Sequence, residues 1–176
     1  PQGVGVLCLA PGIELKTMRE GGTGGFSDQD RQPDRLPYKY ESGTHNTPGI
    51  AGLAAGVRFV LGEGIDKIGE HERSLMALLK DALTSLPGVT RYGPDRVEGC
   101  TAVQSINVEG LKPSEVEKLL DELYGILVRS GLQCARDAHL TLETFPAGTV
   151  RLSPGYFNSE SDIEGLIEAL DQIGQR

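Results

Sequence analysis

The sequence predicts an α/β sandwich in which helices cover one face of a sheet. Beyond about residue 62, apolar positions recur in the order helix, two strands, helix, two strands, helix. The part before it is punctuated by glycine and proline and has no helical period until its last dozen residues. We therefore expect two parts, residues 1–62 and residues 63–176.

The sequence of the first part predicts a long irregular segment that ends in a helix. IAGLAAGVRFVL, residues 50–61, is rich in glycine and alanine, and these small residues permit close approach of a neighbouring element. We expect this helix to be closely packed. Long irregular segments in folded domains often carry function.

The second part alternates amphipathic helices with short strands. A helix is expected from about Gly64 to Leu86, where Pro87-Gly88 ends it, with an apolar face of Leu75, Leu78, Leu79, Ala82, Leu83 and Leu86. A further helix is expected to begin at Pro113, and its apolar stripe consists of Val116, Leu119, Leu120 and Leu123. The last helix is expected after Ser159, which resembles a capping box with Asp162. Its apolar stripe consists of Ile163, Leu166, Ile167 and Leu170. Strands are expected at 89–92, 101–108, 125–128 and 148–153.

Composition narrows the class of protein. The net charge of -8 argues against a nucleic-acid partner, because binding to phosphates requires a basic surface. No apolar run approaches the ~20 residues of a membrane span, and no signal peptide is visible. Cys8, Cys100 and Cys134 are odd in number and far apart, which is typical of reduced thiols in the cytoplasm, and they form no metal-binding cluster.

Three stretches could carry chemistry, and the first is ESGTHNTPG, residues 41–49. Gly43, Thr44 and Asn46 precede the start of a helix near Pro48. Such a loop is either a helix cap or a site for a phosphate group, because amides and hydroxyls converge at a helix N-terminus. These residues alone leave both interpretations open.

The second stretch is GTVRLS, in which Arg151 interrupts an apolar strand. If it is buried, this arginine requires an anionic partner. The partner is either an internal carboxylate in a salt bridge or the carboxylate of a ligand, which a guanidinium group can bind in bidentate fashion.

The third stretch is RSGLQCARDAH, residues 129–139. Cys134 lies between Arg129 and Arg136 in a polar segment. Cationic neighbours favour the reactive thiolate, although most single cysteines are inert small residues.

Taken together, these stretches resemble a known family. EGGTGGFSDQDRQPDRLPYKYESGTHNTPGIAGLAAGV, VRSGLQCARDAH and TFPAGTVRLSPGYFN occur in the order typical of class V aminotransferases. More narrowly, the chain resembles the cysteine desulfurase and selenocysteine lyase branch. The resemblance covers nearly the whole chain and corresponds to the C-terminal portion of a fold-type I transferase that depends on pyridoxal phosphate (PLP). Residues 1–62 then match the end of the large cofactor domain and residues 63–176 the small α/β domain.

The resemblance implies a role for each candidate residue. Thr44 and Gly43 match the loop that reaches the cofactor phosphate of the other subunit in a homodimer. Cys134 matches the thiol that takes sulfur from L-cysteine as a persulfide, with release of alanine. Arg151 matches the arginine that binds the substrate carboxylate, and Arg129 a residue of the same pocket. A protein acceptor would then take the sulfur.

The same resemblance leaves alternatives open. The lysine that holds the cofactor covalently is expected outside this chain, so the chain alone is expected to be inactive. Leu132 and Gln133 stand where this branch usually has histidine before the cysteine. A related class V lyase or aminotransferase, acting on another amino acid, is therefore one alternative. A non-catalytic dimerisation or binding module is another.

Overall fold

The computed structural model of the chain describes residues 2–22, 25–26 and 28–175. They divide into two compact units, Pro1–Glu63 and Gly64–Arg176. The first unit ends in α1 (Thr47–Glu63). The second contains α2 (Ile65–Thr84), β1 (Val89–Tyr92), β2 (Gln104–Val108), α3 (Pro113–Tyr124), β3 (Arg129–Gly131), α4 (Arg136–Thr141), β4 (Thr149–Leu152) and α5 (Glu160–Gly174).

In the first unit, α1 begins where Asn46 caps it. The Asn46 Oδ1 atom accepts the Gly49 amide at 3.0 Å, which satisfies one of the free amides of the first turn. A Cβ atom at position 49 would collide with the Asn46 carboxamide, so any other residue there would displace the capping side chain. The cap interpretation is thus confirmed for Asn46, and the phosphate interpretation stays open for Gly43 and Thr44.

The expected close packing of α1 is wrong. Its apolar side chains are largely exposed, including Val57 at 49% and Leu61 at 76%. A methyl group added at Gly56 or Gly62 would meet nothing within 4 Å. Helical periodicity was enough to place this helix, but small residues do not say whether a neighbour is present.

In the second unit, four strands form an antiparallel sheet in the order β1-β2-β4-β3. Ile106 pairs with Val150 at its centre, and both are fully buried. Side chains alternate between the two faces of a strand, so the neighbours Ser105 and Arg151, which also pair, lie on the opposite face.

Helices α2, α3 and α5 cover the Ile106 face, which confirms the predicted sandwich. The core consists of aliphatic side chains from these helices and from β2 and β4: Leu75, Met76, Leu79, Leu83, Ile106, Val108, Val116, Leu120, Val150, Leu152, Ile163, Leu166, Ala169, Leu170 and Ile173. Their removal from water is the main source of stability in such a domain.

The helix boundaries of this unit follow their sequence signals. Pro113 occupies the first turn of α3, where its missing amide costs nothing. The predicted capping box of α5 is confirmed, since the Ser159 amide donates to the Asp162 carboxylate at 2.8 Å. These hydrogen bonds lower the pKa of Asp162 from 3.8.

Some predicted positions are wrong. Residues 125–128 form no strand, because Gly125 is the left-handed C-cap of α3 and pairing begins only at Arg129. The short helix α4 was not predicted. Leu78 and Leu123, both placed on apolar stripes, are exposed by 36% and 50%, because each lies at the edge of its helix face.

Candidate active site

Two arginines face each other on neighbouring strands. Arg129 of β3 pairs with Arg151 of β4, and both side chains are exposed. Neither guanidinium group has an ion pair or hydrogen bond within the part of the chain that the structure describes. Two adjacent cations without a carboxylate partner are available to an anionic group.

The expectation that Arg151 is buried is wrong, and with it the internal salt bridge. Its neighbours Val150 and Leu152 are buried, at 0% and 1% exposure. Because side chains alternate along a strand, Arg151 points away from the core. The remaining interpretation is a ligand-binding arginine, and this one remains a prediction.

Polar side chains on the sheet face of Arg129 and Arg151 form a row that continues across the sheet. Arg151 pairs with Ser105 of β2, and Ser105 pairs with Tyr92 of β1. Paired side chains of an antiparallel ladder lie on the same face, so two hydroxyl groups continue the row begun by the arginines. A carboxylate bound by the guanidinium groups would therefore have further hydrogen-bond donors on the same face.

Cys134 lies in the loop between β3 and α4, directly after this row. The side chain is exposed and the thiol is free. Its backbone is left-handed, with φ of 60°, and so is that of Gln133, with φ of 44°. The Gln133 side chain donates to the backbone carbonyl oxygens of Arg129, at 3.3 Å, and Thr149, at 3.0 Å.

The residues after Cys134 are held by a buried histidine. His139 of α4 is only 5% exposed, and its Nδ1 atom lies 2.7 Å from the Thr144 hydroxyl. Arg136, expected beside the thiol, instead forms an ion pair with Asp137 at 3.3 Å and lies 5.2 Å from the centre of the Phe145 ring. Among Arg129, Arg136 and Arg151, the two arginines of the β3–β4 pair are therefore those without an ion pair to a described residue.

In the first unit, Thr44 borders two cavities and Gly43 borders the first of them. One, of about 700 Å³, is lined by Gly22, Gly25, Phe26, Tyr38, Gly43, Thr44 and His45. The other, of about 520 Å³, includes Lys16, Arg19, Thr44 and His45 among its lining residues. Thr44 and His45 thus line both cavities, and basic residues line the second.

Thr44 and Gly43 differ in what they can offer to a ligand. The Gly43 amide already donates to the Gly22 carbonyl at 2.6 Å, and its φ of 86° is one that favours glycine. The amide and hydroxyl of Thr44 have no partner among the described residues. Gly43 therefore shapes the loop, and Thr44 supplies the free donors.

Three of the five predicted site residues, Arg129, Arg151 and Cys134, thus belong to one strand pair and the loop that follows it. Thr44 and Gly43 belong to the other unit. Gln133 was noticed only as a departure from the family, and its hydrogen bonds had no sequence signal. Within residues 2–22, 25–26 and 28–175, no three acidic, histidine or cysteine side chains are grouped as metal ligands would be.

No single helix in the described ranges is long and apolar enough to cross a membrane, although α1 and α2 reach that length and composition as a bent pair.

Comparison with known proteins identifies related sequences. The family model described as aminotransferase class-V matches residues 1–166. A probable cysteine desulfurase of Methanothermobacter thermautotrophicus is 34% identical over 98% of this chain and 44% of its own length. A cysteine desulfurase of Salmonella agona is 33% identical over 98% of this chain and 42% of its own length.

Comparison of the fold with solved structures identifies the same group of proteins. The apo structure of cysteine desulfurase from Thermococcus onnurineus NA1 superimposes with a TM-score of 0.77 and 32% identity, over 94% of this chain and 39% of that one. The chain therefore spans less than half the length of the relatives that it matches.

Proposed function

Because this chain belongs to the class-V aminotransferase family, we propose that the whole protein is a PLP-dependent cysteine desulfurase. It would move sulfur from L-cysteine to Cys134 and release alanine. The observation that carries the proposal is the unpartnered pair Arg129 and Arg151 beside an exposed cysteine loop. This arrangement combines a carboxylate-binding site with a nucleophile.

The residues around Thr44 fit the phosphate of PLP. The cavity of about 700 Å³ is large enough for a substituted pyridine ring, and the free amide and hydroxyl of Thr44 are phosphate donors. Thr44 would hold the phosphate, while Gly43 would fix the loop conformation. When bound, PLP acts as an electron sink for the carbon skeleton of an amino acid.

Arg151 would orient the substrate. Its planar guanidinium group can form two parallel hydrogen bonds to the α-carboxylate, which fixes the direction of the side-chain sulfur. Arg129, directly opposite on β3, adds positive charge on the same face. Because neither arginine is paired with a carboxylate of the described residues, no such ion pair has to break before substrate binds.

Cys134 would then accept the sulfur. Its thiolate attacks the substrate sulfur, so that a sulfur–sulfur bond forms as the carbon–sulfur bond breaks. The electron pair of the broken bond stays with the carbon, which takes up a proton to give alanine. L-cysteine and the Cys134 thiol are thereby converted to alanine and a Cys134 persulfide, with no external oxidant or reductant.

The products of this step determine the partners that we propose. A persulfide on an exposed loop is accessible to the thiol of an acceptor protein. A homodimer is supported by the exposed apolar side chains of α1, such as Val57 and Leu61, since large apolar surfaces usually lie at interfaces. Sedimentation of the whole encoded protein tests this, and a monomer at micromolar concentration would contradict it.

The decisive experiment uses the whole encoded protein with added PLP and L-cysteine. Alanine is measured together with the mass of the peptide that contains Cys134, which should gain one sulfur atom. Cys134→Ala should abolish both products, whereas the control Cys8→Ala should retain them. Sulfide and pyruvate formation that survives in Cys134→Ala would instead identify a lyase.

A further inference from the structure

Gln133 ties the cysteine loop to both neighbouring strands. Its Nε2 atom donates to the Arg129 carbonyl of β3 at 3.3 Å and to the Thr149 carbonyl of β4 at 3.0 Å. One carboxamide thus holds the residue before Cys134 against the same strands that carry the two arginines. No other described side chain joins this loop to both strands.

The backbone of this loop needs such a restraint. Gln133 and Cys134 are consecutive non-glycine residues in the left-handed region, with φ of 44° and 60°. That conformation costs free energy because the Cβ atom crowds the backbone, and it persists only where the surroundings enforce it. Within the loop, one turn bond, from the Ala135 amide to the Leu132 carbonyl at 2.8 Å, opposes its relaxation.

The strand β4, whose Thr149 carbonyl oxygen accepts the hydrogen bond from Gln133, is itself held in place. Thr149 is fully buried, so water does not compete for its carbonyl oxygen, and the loss of a donor there leaves a buried acceptor with less compensation. Next to it, the Gly148 carbonyl accepts from the Asn107 side chain at 3.3 Å, and Asn107 also lies 3.2 Å from the Tyr92 hydroxyl. Gln133 is therefore anchored on the rigid part of the sheet.

We propose that Gln133 is the positioning residue of Cys134, holding the loop so that the thiol has a fixed place relative to Arg151. The role of Cys134 as the sulfur acceptor rests on the proposed function. Gln133 acts through geometry rather than proton transfer, because a carboxamide is neither an acid nor a base in the physiological pH range. The positioning comes from the two N–H donors of the side chain.

The test compares Gln133→Ala and Gln133→Glu in the whole encoded protein. Glutamate keeps the shape of the side chain, but its carboxylate cannot donate to either carbonyl. Hydrogen exchange of the Ala135 amide should become at least about tenfold faster in both variants, while the amides of α5 keep their rates. The matched control is Asp137→Ala, which alters the same segment and leaves the Gln133 bonds intact.

Two outcomes would overturn the positioning role. Unchanged exchange in Gln133→Ala would show that the loop holds itself, and wild-type exchange in Gln133→Glu would show that the donors are not needed. If α5 also exchanges faster, the whole unit has been destabilised. The comparison then passes to Gln133→Met, which keeps the length of the side chain and removes both N–H groups. Exchange as slow as in the wild type would overturn the proposal there, and faster exchange confined to the loop would support it.

Turnover provides a measurement that a purely structural role of Gln133 would leave unchanged. In the PLP-loaded protein, Gln133→Ala should lower kcat for persulfide formation by about tenfold and leave KM for L-cysteine unchanged, because Arg151 is intact. A raised KM with unchanged kcat would overturn the positioning of the thiol. Hydrogen exchange can be measured without the cofactor, so the two proposals can fail separately. If the whole protein forms no persulfide, the proposed function is contradicted. Faster loop exchange in the Gln133 variants of that protein would still show that Gln133 restrains the loop.

Discussion

The Nδ1 atom of His139 lies 2.7 Å from the hydroxyl oxygen of Thr144, and both side chains are buried. The His139 carbonyl also accepts the amides of Thr144 and Phe145, at 2.9 and 3.2 Å. The histidine thus closes the turn between α4 and β4 from its side chain and from its backbone. This turn carries the chain from the cysteine loop back to the strand of Arg151.

We expect Thr144→Val to destabilise the second unit by about 1–3 kcal/mol. Valine has a similar shape but leaves the buried His139 nitrogen without its partner. Urea denaturation of the chain, followed by circular dichroism, measures the change. The control Thr141→Val removes an exposed hydroxyl that bonds the Asp137 carbonyl and should change stability by less than about 0.5 kcal/mol. Equal effects of the two substitutions would contradict a special role for the buried bond.

Gly148→Ala should be still more disruptive. A Cβ atom there would overlap the Gly131 carbonyl group, and the φ of 80° disfavours any side chain. We expect a loss of about 2 kcal/mol or more, because backbone must move to make room.

The matched control for this substitution is Gly165→Ala in α5. A methyl group there meets nothing within 4 Å, so alanine should stabilise the helix by about 0.5–1 kcal/mol. Denaturant midpoints of the two variants should therefore shift in opposite directions. A Gly148→Ala variant as stable as the parent chain would show that β3 and β4 do not approach as closely as described.

The pKa of Asp162 predicts how α5 responds to acid. Hydrogen bonds from the Ser159 amide, the Ser159 hydroxyl and the Asn158 side chain lower this pKa from 3.8. A lowered folded-state pKa means that the stabilisation is fully present above about pH 4 and is lost as the pH falls through the folded value. NMR titration of the Asp162 carboxyl should give a midpoint below 3.8, and Asp162→Asn should remove this part of the pH dependence. A midpoint at or above 3.8 would contradict the capping role.

Arg151→Lys should weaken substrate binding in the PLP-loaded whole protein. Lysine keeps the charge but loses the bidentate geometry, so KM for L-cysteine should rise by about 10- to 100-fold, as expected for the loss of a charged hydrogen bond. Steady-state alanine formation measures it. The control Arg91→Lys alters an arginine that is paired with Asp95 at 3.0 Å and should have little effect. An unchanged KM in Arg151→Lys would remove Arg151 from the substrate site.

Most of the second unit could be predicted because its signals are local. Pro113, the capping box at Ser159 and Asp162, and the Pro87-Gly88 stop each act within one turn of chain. The strand predicted at 125–128 failed for a different reason. An apolar run shows only that a segment is suited to burial, whereas a strand also needs a partner, and β4 provides one only from Arg129 onward.

The site was predictable in its residue types but not in its geometry. The resemblance to a family indicated Cys134, Arg129 and Arg151, and the pairing of β3 with β4 places the two arginines opposite each other. The exposure of Arg151 could have been read from the alternation of TVRL, in which valine and leucine flank it. The bond from Gln133 to Thr149 could not, since it joins residues 16 positions apart in the chain.

The pairing of Arg129 with Arg151 also constrains how this gene can vary in length. A residue inserted within β4 before position 151 would reverse the face of every following side chain and turn the arginine into the core. A residue inserted between α4 and Thr144 would leave that pairing intact but would separate His139 from Thr144, which it bonds across Leu142 and Glu143. Natural insertions and deletions between the cysteine and the arginine should therefore avoid both Thr149–Leu152 and the turn from His139 to Thr144.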